Sequence, residues 1–387
     1  MKNFVYEIPT KIIFGKGQIA KIGGEASRFG RRVLLVYGMG SIKKNGVYDQ
    51  VMASLGDSGL DVVEFSGVRS NPVLSHARKG IESARREKIE VVLAVGGGSV
   101  IDEAKTIAAG VFADHDPWDF FTYKKVIEAA LPILTVVTMS ASASEMNGSA
   151  VMTNDETAQK FSTRSIHLYP KTSILDPTVL YTVGADYTAY SAVDAITHML
   201  EGYFNGAELF NPLQDGLVES LTRVLMDNTA VNLKNPMEYD ARANSMWATT
   251  LAFNGLTTAG IGRAPLPVHM IEHSLSAIYD IAHGAGLSIV LPGWMKFALP
   301  EKYPKIAHFG RRIFSIEEED DMEAARRGIE ALKAWFVSIG SPVSLAEGNI
   351  PEEDIGKIAA NAATLADVWG LTDYKSPVIE SILEQCR

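Results

Sequence analysis

Short apolar runs alternate with amphipathic segments throughout the first half of the chain. Strand-like patterns occupy residues 4–15, as two short strands around Pro9, and residues 32–37, 61–66, 91–95 and 131–138. Apolar positions at helical spacing fill the gaps, at residues 48–57 and 76–87. Strands that alternate with helices are typical of βαβ units. The first half is therefore predicted to form an α/β domain with a parallel sheet.

The pattern changes close to Gly184. Beyond it the strand-like runs disappear, and long Ala-, Leu- and Met-rich segments with helical periodicity follow. These segments occupy residues 186–203, 212–232, 240–258, 268–279, 285–299, 322–339 and 351–368. The sequence therefore predicts two domains: an α/β domain at residues 1–183 and an all-helical domain at residues 184–387.

Composition narrows the class of protein. The chain has 387 residues, a net charge of −10 and 47% hydrophobic residues, so a substantial core is available and a basic nucleic-acid surface is not expected. No apolar run reaches the roughly 20 residues that cross a bilayer, and the N-terminus lacks the apolar region of a signal peptide. The single cysteine, Cys386, excludes disulfides within the chain. We therefore expect a cytoplasmic protein with no nucleic-acid or membrane partner.

A glycine-rich turn follows the buried run at residues 91–95. It contains Gly97, Gly98 and Ser99, and Asp102 lies three residues further on. Glycines let a phosphate approach the backbone, and the start of the following helix supplies amide donors. A pyrophosphate group fits such a turn. An ordinary tight turn, with Ser99 as helix cap and Asp102 completing a capping box, explains the same residues, and the two interpretations are compatible for Ser99.

A second turn, at residues 38–41, follows the run at residues 32–37. It contains Gly38, Gly40 and Ser41, and no acidic residue occurs between Gly38 and Lys44. A carboxylate beside an adenosine ribose favours the free 2′-hydroxyl, whereas hydroxyl and ammonium groups favour a 2′-phosphate. With Ser41, Lys43 and Lys44 in this segment, the sequence favours NADP(H) over NAD(H).

A serine-rich segment closes the last predicted strand. Thr138, Ser140 and Ser142 lie in it, and their small hydroxyl side chains are able to line a nicotinamide or a pyrophosphate. A serine-rich loop that caps the next helix is an equally good interpretation.

Histidines are concentrated in the helical half. Asp194 and His198 are four residues apart, as are His269 and His273, and His283 follows ten residues later. Residues four apart share one face of a helix. Imidazole nitrogens together with one carboxylate suit zinc or ferrous iron better than calcium or magnesium. Since a catalytic metal keeps one coordination position open, not all five candidates need be ligands.

Several of these motifs together resemble the iron-containing alcohol dehydrogenase family, and in particular its butanol dehydrogenase branch. The similarity spans nearly the whole chain and rests on motifs at residues 9–17, 37–46, 71–72, 96–105, 174–177, 194–198 and 269–284. One departure is Ala141-Ser142-Ala143, where the family often carries Gly-Thr-Gly. A second is the pair Pro265 and Pro267 just before His269.

The resemblance implies a Rossmann-like α/β domain and a helical domain in the dehydroquinate-synthase-like architecture. It implies a homodimer joined through the N-terminal strands, with NAD(P) in the cleft between the domains and one iron or zinc ion. The implied metal ligands are Asp194, His198, His269 and His283. The implied cofactor-binding residues are Gly38, Gly40, Ser41, Gly97, Gly98, Ser99, Asp102, Thr138, Ser140, Ser142 and Lys160.

The implied reaction is reversible hydride transfer between the nicotinamide and a small primary alcohol or aldehyde such as butanol or butanal. The metal polarises the substrate oxygen, and one carboxylate with three neutral imidazoles leaves a single net positive charge there. His273, beside the metal, is the candidate proton relay, although orientation of a ligand explains it nearly as well. The alternative is a dehydroquinate-synthase-like or glycerol-dehydrogenase-like enzyme with a polyol substrate.

Overall fold

The chain folds into two compact units. The structure, a computed structural model, describes all 387 residues, Met1–Arg387. The α/β unit comprises Glu7–Val183 together with Asn235–Thr250. The helical unit comprises Met1–Tyr6, Gly184–Lys234 and Leu251–Arg387. Whether residues 1–183 and 184–387 are separate domains stays a prediction, which expression of each range alone would test.

A six-stranded, wholly parallel sheet forms the centre of the α/β unit, in the order β1-β8-β5-β4-β2-β3. Strands β6 and β7 pair separately as an antiparallel hairpin. The strands are β1 Lys11–Phe14, β2 Arg32–Gly38, β3 Asp61–Val68, β4 Val91–Gly96, β5 Ile133–Val137, β6 Ser149–Asn154, β7 Gln159–Arg164 and β8 Thr172–Leu175. The helices of this part of the chain are α1 Ile22–Ala26, α2 Ser41–Lys44, α3 Val47–Asp57, α4 Leu74–Arg86, α5 Gly98–Gly110 and α6 Trp118–Phe121.

The central strands explain the position of the two glycine turns. All six residues of β4 are buried, as expected for a parallel strand with both faces covered. β2 lies directly beside β4, with Tyr37 opposite Val95. Parallel neighbours end at the same edge of a sheet, where open α/β folds bind their ligands. The turn at residues 38–41 and the turn at residues 96–99 therefore lie side by side.

Eight helices follow in the second half of the chain, with no further strand. They are α7 Ala185–Asn205, α8 Pro212–Lys234, α9 Tyr239–Ala252, α10 Pro267–Tyr279, α11 His283–Phe314, α12 Asp321–Ser338, α13 Ile355–Trp369 and α14 Ser376–Glu384. None of the helices has both the length and the apolar character needed to cross a lipid bilayer. The predicted fold class, a parallel α/β sheet followed by an all-helical half, is confirmed.

The N-terminal segment differs from its sequence pattern. Only β1 forms a strand there, and residues 4–8 form none. Pro9 has no N–H to donate, so a strand cannot pair continuously through it. Residues 1–6 belong to the helical unit, where Lys2 N donates to Gly260 O at 2.8 Å. The apolar residues Phe4, Val5 and Tyr6 of this segment are exposed and take part in no sheet.

Helix α11 is twice as long as its pattern predicts. The periodic segment ends near residue 299, yet the helix continues to Phe314 through Pro300 and Pro304. Each internal proline removes one backbone hydrogen bond. Ile306 and Phe309 are nevertheless buried, and α12 packs along this helix. Burial of that apolar face offsets the lost hydrogen bonds, and a local pattern does not reveal such a gain.

Candidate metal centre and nucleotide-binding turns

Helix α7 supplies the first two predicted metal ligands from one face. Asp194 and His198 are buried one helical turn apart. His198 Nδ1 donates to the backbone carbonyl of Asp194 at 3.0 Å and lies 2.9 Å from Asp194 Oδ1. The Nδ1 hydrogen bond leaves Nε2 of His198 as its ligand atom.

The start of helix α10 supplies the third predicted metal ligand, His269. Pro267 occupies the first turn, where its missing N–H costs nothing. The amide of Val268 donates to Glu201 Oε1 at 2.5 Å, and His269 Nδ1 donates to Glu201 Oε2. Glu201, from α7, thus caps α10 and orients the imidazole. His269 Nε2 is thereby placed 3.6 Å from Asp194 Oδ1.

The first residue of helix α11, His283, is the fourth predicted metal ligand. His283 Nδ1 donates to Glu272 Oε2, on α10, and His283 Nε2 lies 3.8 Å from Asp194 Oδ1. Gly284 makes this approach possible, because a Cβ there would lie 2.2 Å from the carbonyl oxygen of Tyr190. The motif His283-Gly284 therefore combines a ligand with the close contact between α11 and α7 that positions it.

These atoms fit a divalent cation. Asp194 Oδ1 and His269 Nε2 are both buried without a hydrogen-bond partner, an arrangement that costs stability unless a ligand compensates it. The ligand atoms of Asp194, His198 and His269 all lie within 4.8 Å of one another. Tetrahedral coordination with bonds of about 2.0–2.1 Å separates ligand atoms by about 3.3 Å. The observed 3.6 and 3.8 Å separations are close to that value.

The protonation of these groups also suits a cation. Burial raises the pKa of Asp194, but the adjacent imidazoles of His198, His269 and His283 outweigh it and hold that pKa well below its usual value. Burial and the neighbouring His269 lower the pKa of His198 to about 4. Burial lowers the pKa of His269 as well, but Glu201 and Asp194 raise it to about 9. Carboxylates that hold a proton on His269 equally favour a metal ion in its place.

Glu201 and Glu272 are functional residues that the sequence pattern did not reveal. Both are fully buried, and each accepts from the Nδ1 of one histidine. Such carboxylate–histidine pairs fix the ring and its tautomer. The available signals were their spacings, since Glu201 lies three residues after His198 and Glu272 three after His269. A divalent cation with its four ligands still carries a formal charge of +1, and the two carboxylates behind the histidines make the wider site formally negative.

His273 lies beside this cluster and is buried. Its ring centroid is 5.6 Å from that of His283 and 5.6 Å from that of Trp369. Glu272, His273 and His283 form a second group whose potential ligand atoms lie within 4.8 Å of one another. The structure therefore brings all five predicted residues of the metal motif together.

The glycine-rich turn at the end of β4 contacts the serine-rich segment. A Cβ on Gly98 would lie 2.3 Å from Ser142 Oγ, so a larger residue there requires the serine or the turn to move. That hydroxyl is buried and has no hydrogen-bond partner. Gly97 precedes the first residue of α5, whose N-terminal amides attract anions. A close backbone approach, an unpartnered hydroxyl and a helix N-terminus together fit the phosphates of a nucleotide.

Asp102 points into the protein. Its Oδ1 accepts from Ser144 Oγ at 2.6 Å and its Oδ2 from the amide of Val151 at 2.9 Å. Lys105, fully buried, donates to Ser144 Oγ at 2.9 Å and to Ser149 O at 2.7 Å. Burial lowers the pKa of this lysine to about 8. Both charged side chains thus join α5 to the segment after β5, and support the turn from beneath.

The other predicted cofactor residues lie around the same edge. The amide of Thr138 donates to Gly96 O at 3.0 Å, and Ser140 Oγ donates to Met246 O at 3.4 Å. Lys160, on β7, donates to Asn71 Oδ1 at 3.0 Å. The Ser99 hydroxyl donates to the carbonyl of Ser70 and does not cap α5, whose N-cap is Gly97. Gly40, before α2, has a φ of 103°, a conformation that favours glycine.

Ala143 shows how the alanine departure is accommodated. It adopts a left-handed conformation with a φ of 52°, although it has a Cβ. Ala141 has no such conformation. The backbone thus keeps a left-handed turn at the second of the two alanines, at a cost of about 1–2 kcal/mol relative to ordinary backbone.

Comparison with known proteins agrees with both halves of the chain. Residues 9–177 match the model of the iron-containing alcohol dehydrogenase family, and residues 188–386 match the model of the C-terminal part of the Fe-containing alcohol dehydrogenase family. The NADH-dependent butanol dehydrogenase A of Clostridium acetobutylicum is 42% identical, over 94% of this chain and 93% of its own length. The NADPH-dependent aldehyde reductase YqhD of Escherichia coli is 37% identical, over 90% and 89%.

A solved structure extends the agreement to three dimensions. The crystal structure of NADH-dependent butanol dehydrogenase A from Thermotoga maritima superposes with a TM-score of 0.96 at 47% identity, and covers 100% of this chain and 99% of that one. Matched in sequence and in structure over its whole length, the chain belongs to the butanol dehydrogenase branch of the iron-containing alcohol dehydrogenase family, as an oxidoreductase that acts on CH–OH donors with NAD(P) and a divalent metal.

Proposed function

We propose that this chain catalyses reversible hydride transfer between NAD(P)(H) and small primary alcohols or aldehydes, with butanol and butanal as representative substrates. One observation carries the proposal: Asp194 Oδ1, His269 Nε2 and His283 Nε2 converge, while buried carboxylates hold the opposite nitrogen of both imidazoles. The names of the butanol dehydrogenase relatives support the choice of substrate.

We propose Asp194, His198, His269 and His283 as the residues that hold the cation, iron or zinc. When bound, the cation supplies Lewis-acid polarisation of the substrate oxygen, and the nicotinamide supplies or accepts the hydride. The chain's own contribution is orientation. Glu201 and Glu272 keep the Nε2 atoms of His269 and His283 directed at one point, and Asp194, His198 and His269 are buried beside it.

His273 is the proposed proton relay. It belongs to the same buried group as His283 but is not needed to complete the four proposed ligands. An imidazole exchanges protons near neutral pH and so is able to pass a proton to or from the substrate oxygen, directly or through water. Replacement by glutamine keeps a polar side chain that cannot carry the proton. We expect His273→Gln to lower kcat about 100-fold and to flatten its pH profile, with the metal content unchanged.

Nucleotide binding is proposed at the C-terminal edge of the parallel sheet. The proposed contacts are Gly38, Gly40, Ser41, Gly97, Gly98, Ser99, Thr138, Ser140, Ser142 and Lys160, with Asp102 supporting the turn from within. The preference for NADP(H) over NAD(H) rests on Ser41, Lys43 and Lys44. The named relatives include users of either nucleotide, so the preference has to come from this chain's own residues.

A homodimer in the cytoplasm completes the proposal. β1 is an edge strand of the sheet, and an open edge is a template for pairing with another chain. Phe14 at the end of β1 and Trp247 are both partly exposed and in edge-to-face contact, with centroids 6.1 Å apart. This apolar edge supports the dimer expected from the resemblance. Analytical ultracentrifugation tests it, and a monomer at micromolar concentration would contradict it.

The decisive experiment follows oxidation of NADPH and of NADH with butanal. The protein is assayed as purified, after chelation, and after separate addition of ferrous iron or zinc, with glycerol oxidation as the test of a polyol substrate. We expect activity to vanish on chelation and to return with one metal. Activity that persists after the metal has been shown to be removed would overturn the Lewis-acid role. Oxidation of neither nucleotide with any metal present would overturn the dehydrogenase proposal.

A further inference from the structure

Four side chains form a compact polar cluster beside the turn at residues 38–41. The carboxylate of Glu64 accepts from Tyr37 Oη at 2.6 Å and from Tyr48 Oη at 2.7 Å. Lys43 Nζ donates to the same carboxylate at 3.3 Å. The ammonium also lies over both rings, 5.1 Å from the centroid of Tyr37 and 4.5 Å from that of Tyr48. These contacts therefore hold the Lys43 side chain in one position instead of leaving it extended into solvent.

The cluster lies where an adenosine ribose is expected. Lys43 belongs to α2, which begins one residue after Gly40. In doubly wound folds the pyrophosphate lies on one glycine turn, and the ribose is recognised by side chains near the end of an adjacent strand. Here the pyrophosphate turn follows β4, and β2 is its neighbour in the sheet. β3, which carries Glu64, is the next strand, with Glu64 opposite Leu35.

Glu64 changes what Lys43 offers to a nucleotide. A 2′-phosphate adds nearly two negative charges and needs an unpaired cation. Hydrogen bonds with Tyr37 and Glu64 raise the pKa of Lys43 to about 12, and hydrogen bonds from Tyr37, Tyr48 and Lys43 lower the pKa of Glu64. Both groups are thus charged near neutral pH. The carboxylate cancels much of the lysine's charge and adds repulsion of its own.

Resting on the proposed function, we propose that Glu64 is a specificity-determining residue that restrains Lys43 and thereby limits affinity for the 2′-phosphate of NADP(H). The acidic residue that weakens recognition of the 2′-phosphate is thus not in the turn after β2, where none occurs, but on the neighbouring strand, so the proposed preference for NADP(H) is smaller than the lysines alone would give. The sequence alone suggests that Lys43 is an unpaired cation. In the structure its charge is paired with that of Glu64, which lies 21 positions away in the chain.

Direct binding measurements test this inference without depending on turnover. Dissociation constants for NADPH and NADH are measured by calorimetry for the wild type, Glu64→Gln, Lys43→Gln and the double variant. Glutamine keeps one acceptor oxygen for one of the two phenols, presents its amide N–H to the other, and carries no charge. We expect Glu64→Gln to tighten NADPH about five- to tenfold and to leave NADH within about twofold. Tyr48→Phe removes one hydrogen bond but retains the ion pair, and serves as the matched control with a smaller shift.

The double variant shows whether Glu64 affects NADPH binding through Lys43 or directly. If Glu64 acts through Lys43, Glu64→Gln has little effect on the NADPH-to-NADH ratio in the Lys43→Gln background. The gain in the single variant also shrinks as salt is raised. An unchanged ratio in Glu64→Gln, or the same gain without Lys43, would overturn this inference alone when the wild type binds both nucleotides and reduces butanal. A wild type that binds neither nucleotide would overturn the inference together with the proposed function.

Discussion

The two functional regions of this protein are built in opposite ways. The helical unit offers side chains, and the atoms that face the proposed cation are imidazole nitrogens and a carboxylate oxygen held by other buried side chains. The α/β unit offers backbone, namely glycine turns at strand ends and the first amides of α5. The buried charged residues Asp102 and Lys105 of this unit face inwards and hold the turn in place.

This difference in construction reflects the two ligands that the regions are proposed to bind, a metal cation and a dinucleotide. A small cation is held by a few atoms at fixed distances, so each donor has to be aimed, and aiming a side chain requires a partner behind it. An extended dinucleotide presents many oxygens, which a row of amides at a turn contacts without large side chains. Substitution of a ligand should therefore affect only the metal centre, and an added methyl group at a turn only nucleotide binding.

The largest effect is expected from Asp194→Ala. The carboxylate is the only negatively charged proposed ligand, and both His269 Nε2 and His283 Nε2 are directed at it. We expect metal content, measured by plasma mass spectrometry, to fall close to zero and butanal reduction to fall about 1,000-fold. NADH affinity should remain within about twofold. His167→Ala, at an exposed histidine, is the control, and full metal content in Asp194→Ala would contradict the proposed site.

A smaller loss is expected when the support for a ligand is altered. Glu272→Gln retains an acceptor for His283 Nδ1 but removes the charge, whereas Glu272→Leu removes both. We expect metal affinity to fall about tenfold in the first and toward 100-fold in the second, as measured by competition with a chromophoric chelator. Glu301→Gln, at an exposed position of α11, is the matched control. Equal loss in the glutamine and leucine variants would show that charge alone matters.

In the glycine turn at residues 96–99, the informative substitution is one that adds a methyl group. Gly98→Ala introduces a methyl group 2.3 Å from Ser142 Oγ, so the serine or the turn has to move, which disturbs the proposed phosphate-binding path. We expect NADH and NADPH to bind at least about tenfold more weakly, with metal content unchanged. Ser142→Ala in the same chain removes the contacted oxygen and should restore part of the loss. Unchanged nucleotide binding in Gly98→Ala would place the phosphates elsewhere.

The smallest effect concerns stability at the serine-rich segment. Ala143 occupies a left-handed conformation that glycine adopts without strain. Relief of that strain exceeds the extra chain entropy of glycine, so Ala143→Gly should raise the free energy of unfolding by about 0.5–1 kcal/mol. Ala141→Gly, at an ordinary backbone position, should lower it by a similar amount. Urea titration of both variants measures these free energies of unfolding. Destabilisation by Ala143→Gly would contradict the prediction and show that the methyl group of Ala143 packs favourably.

Local patterns were a reliable guide wherever the relevant geometry is local. Apolar runs of four to eight residues predicted β2, β3, β4 and β5. They did not predict β6 and β7, whose hairpin is rich in polar residues, or the four-residue β8. Those strands form because a neighbour is already present, and a pattern read along one segment does not contain its neighbours.

The sequence by itself determined five candidate metal residues and two glycine turns, because residues four apart share one face of a helix and a glycine between a strand and a helix is visible in the sequence. The family resemblance, also carried by the sequence, then indicated the class of protein and the four proposed ligands. Only the tertiary structure revealed the partners. Glu201 meets His269 across 68 positions, and Glu64 meets Lys43 across 21. Such pairs depend on how helices and strands pack, and packing places a carboxylate beside an imidazole or an ammonium without leaving any periodic trace in the chain.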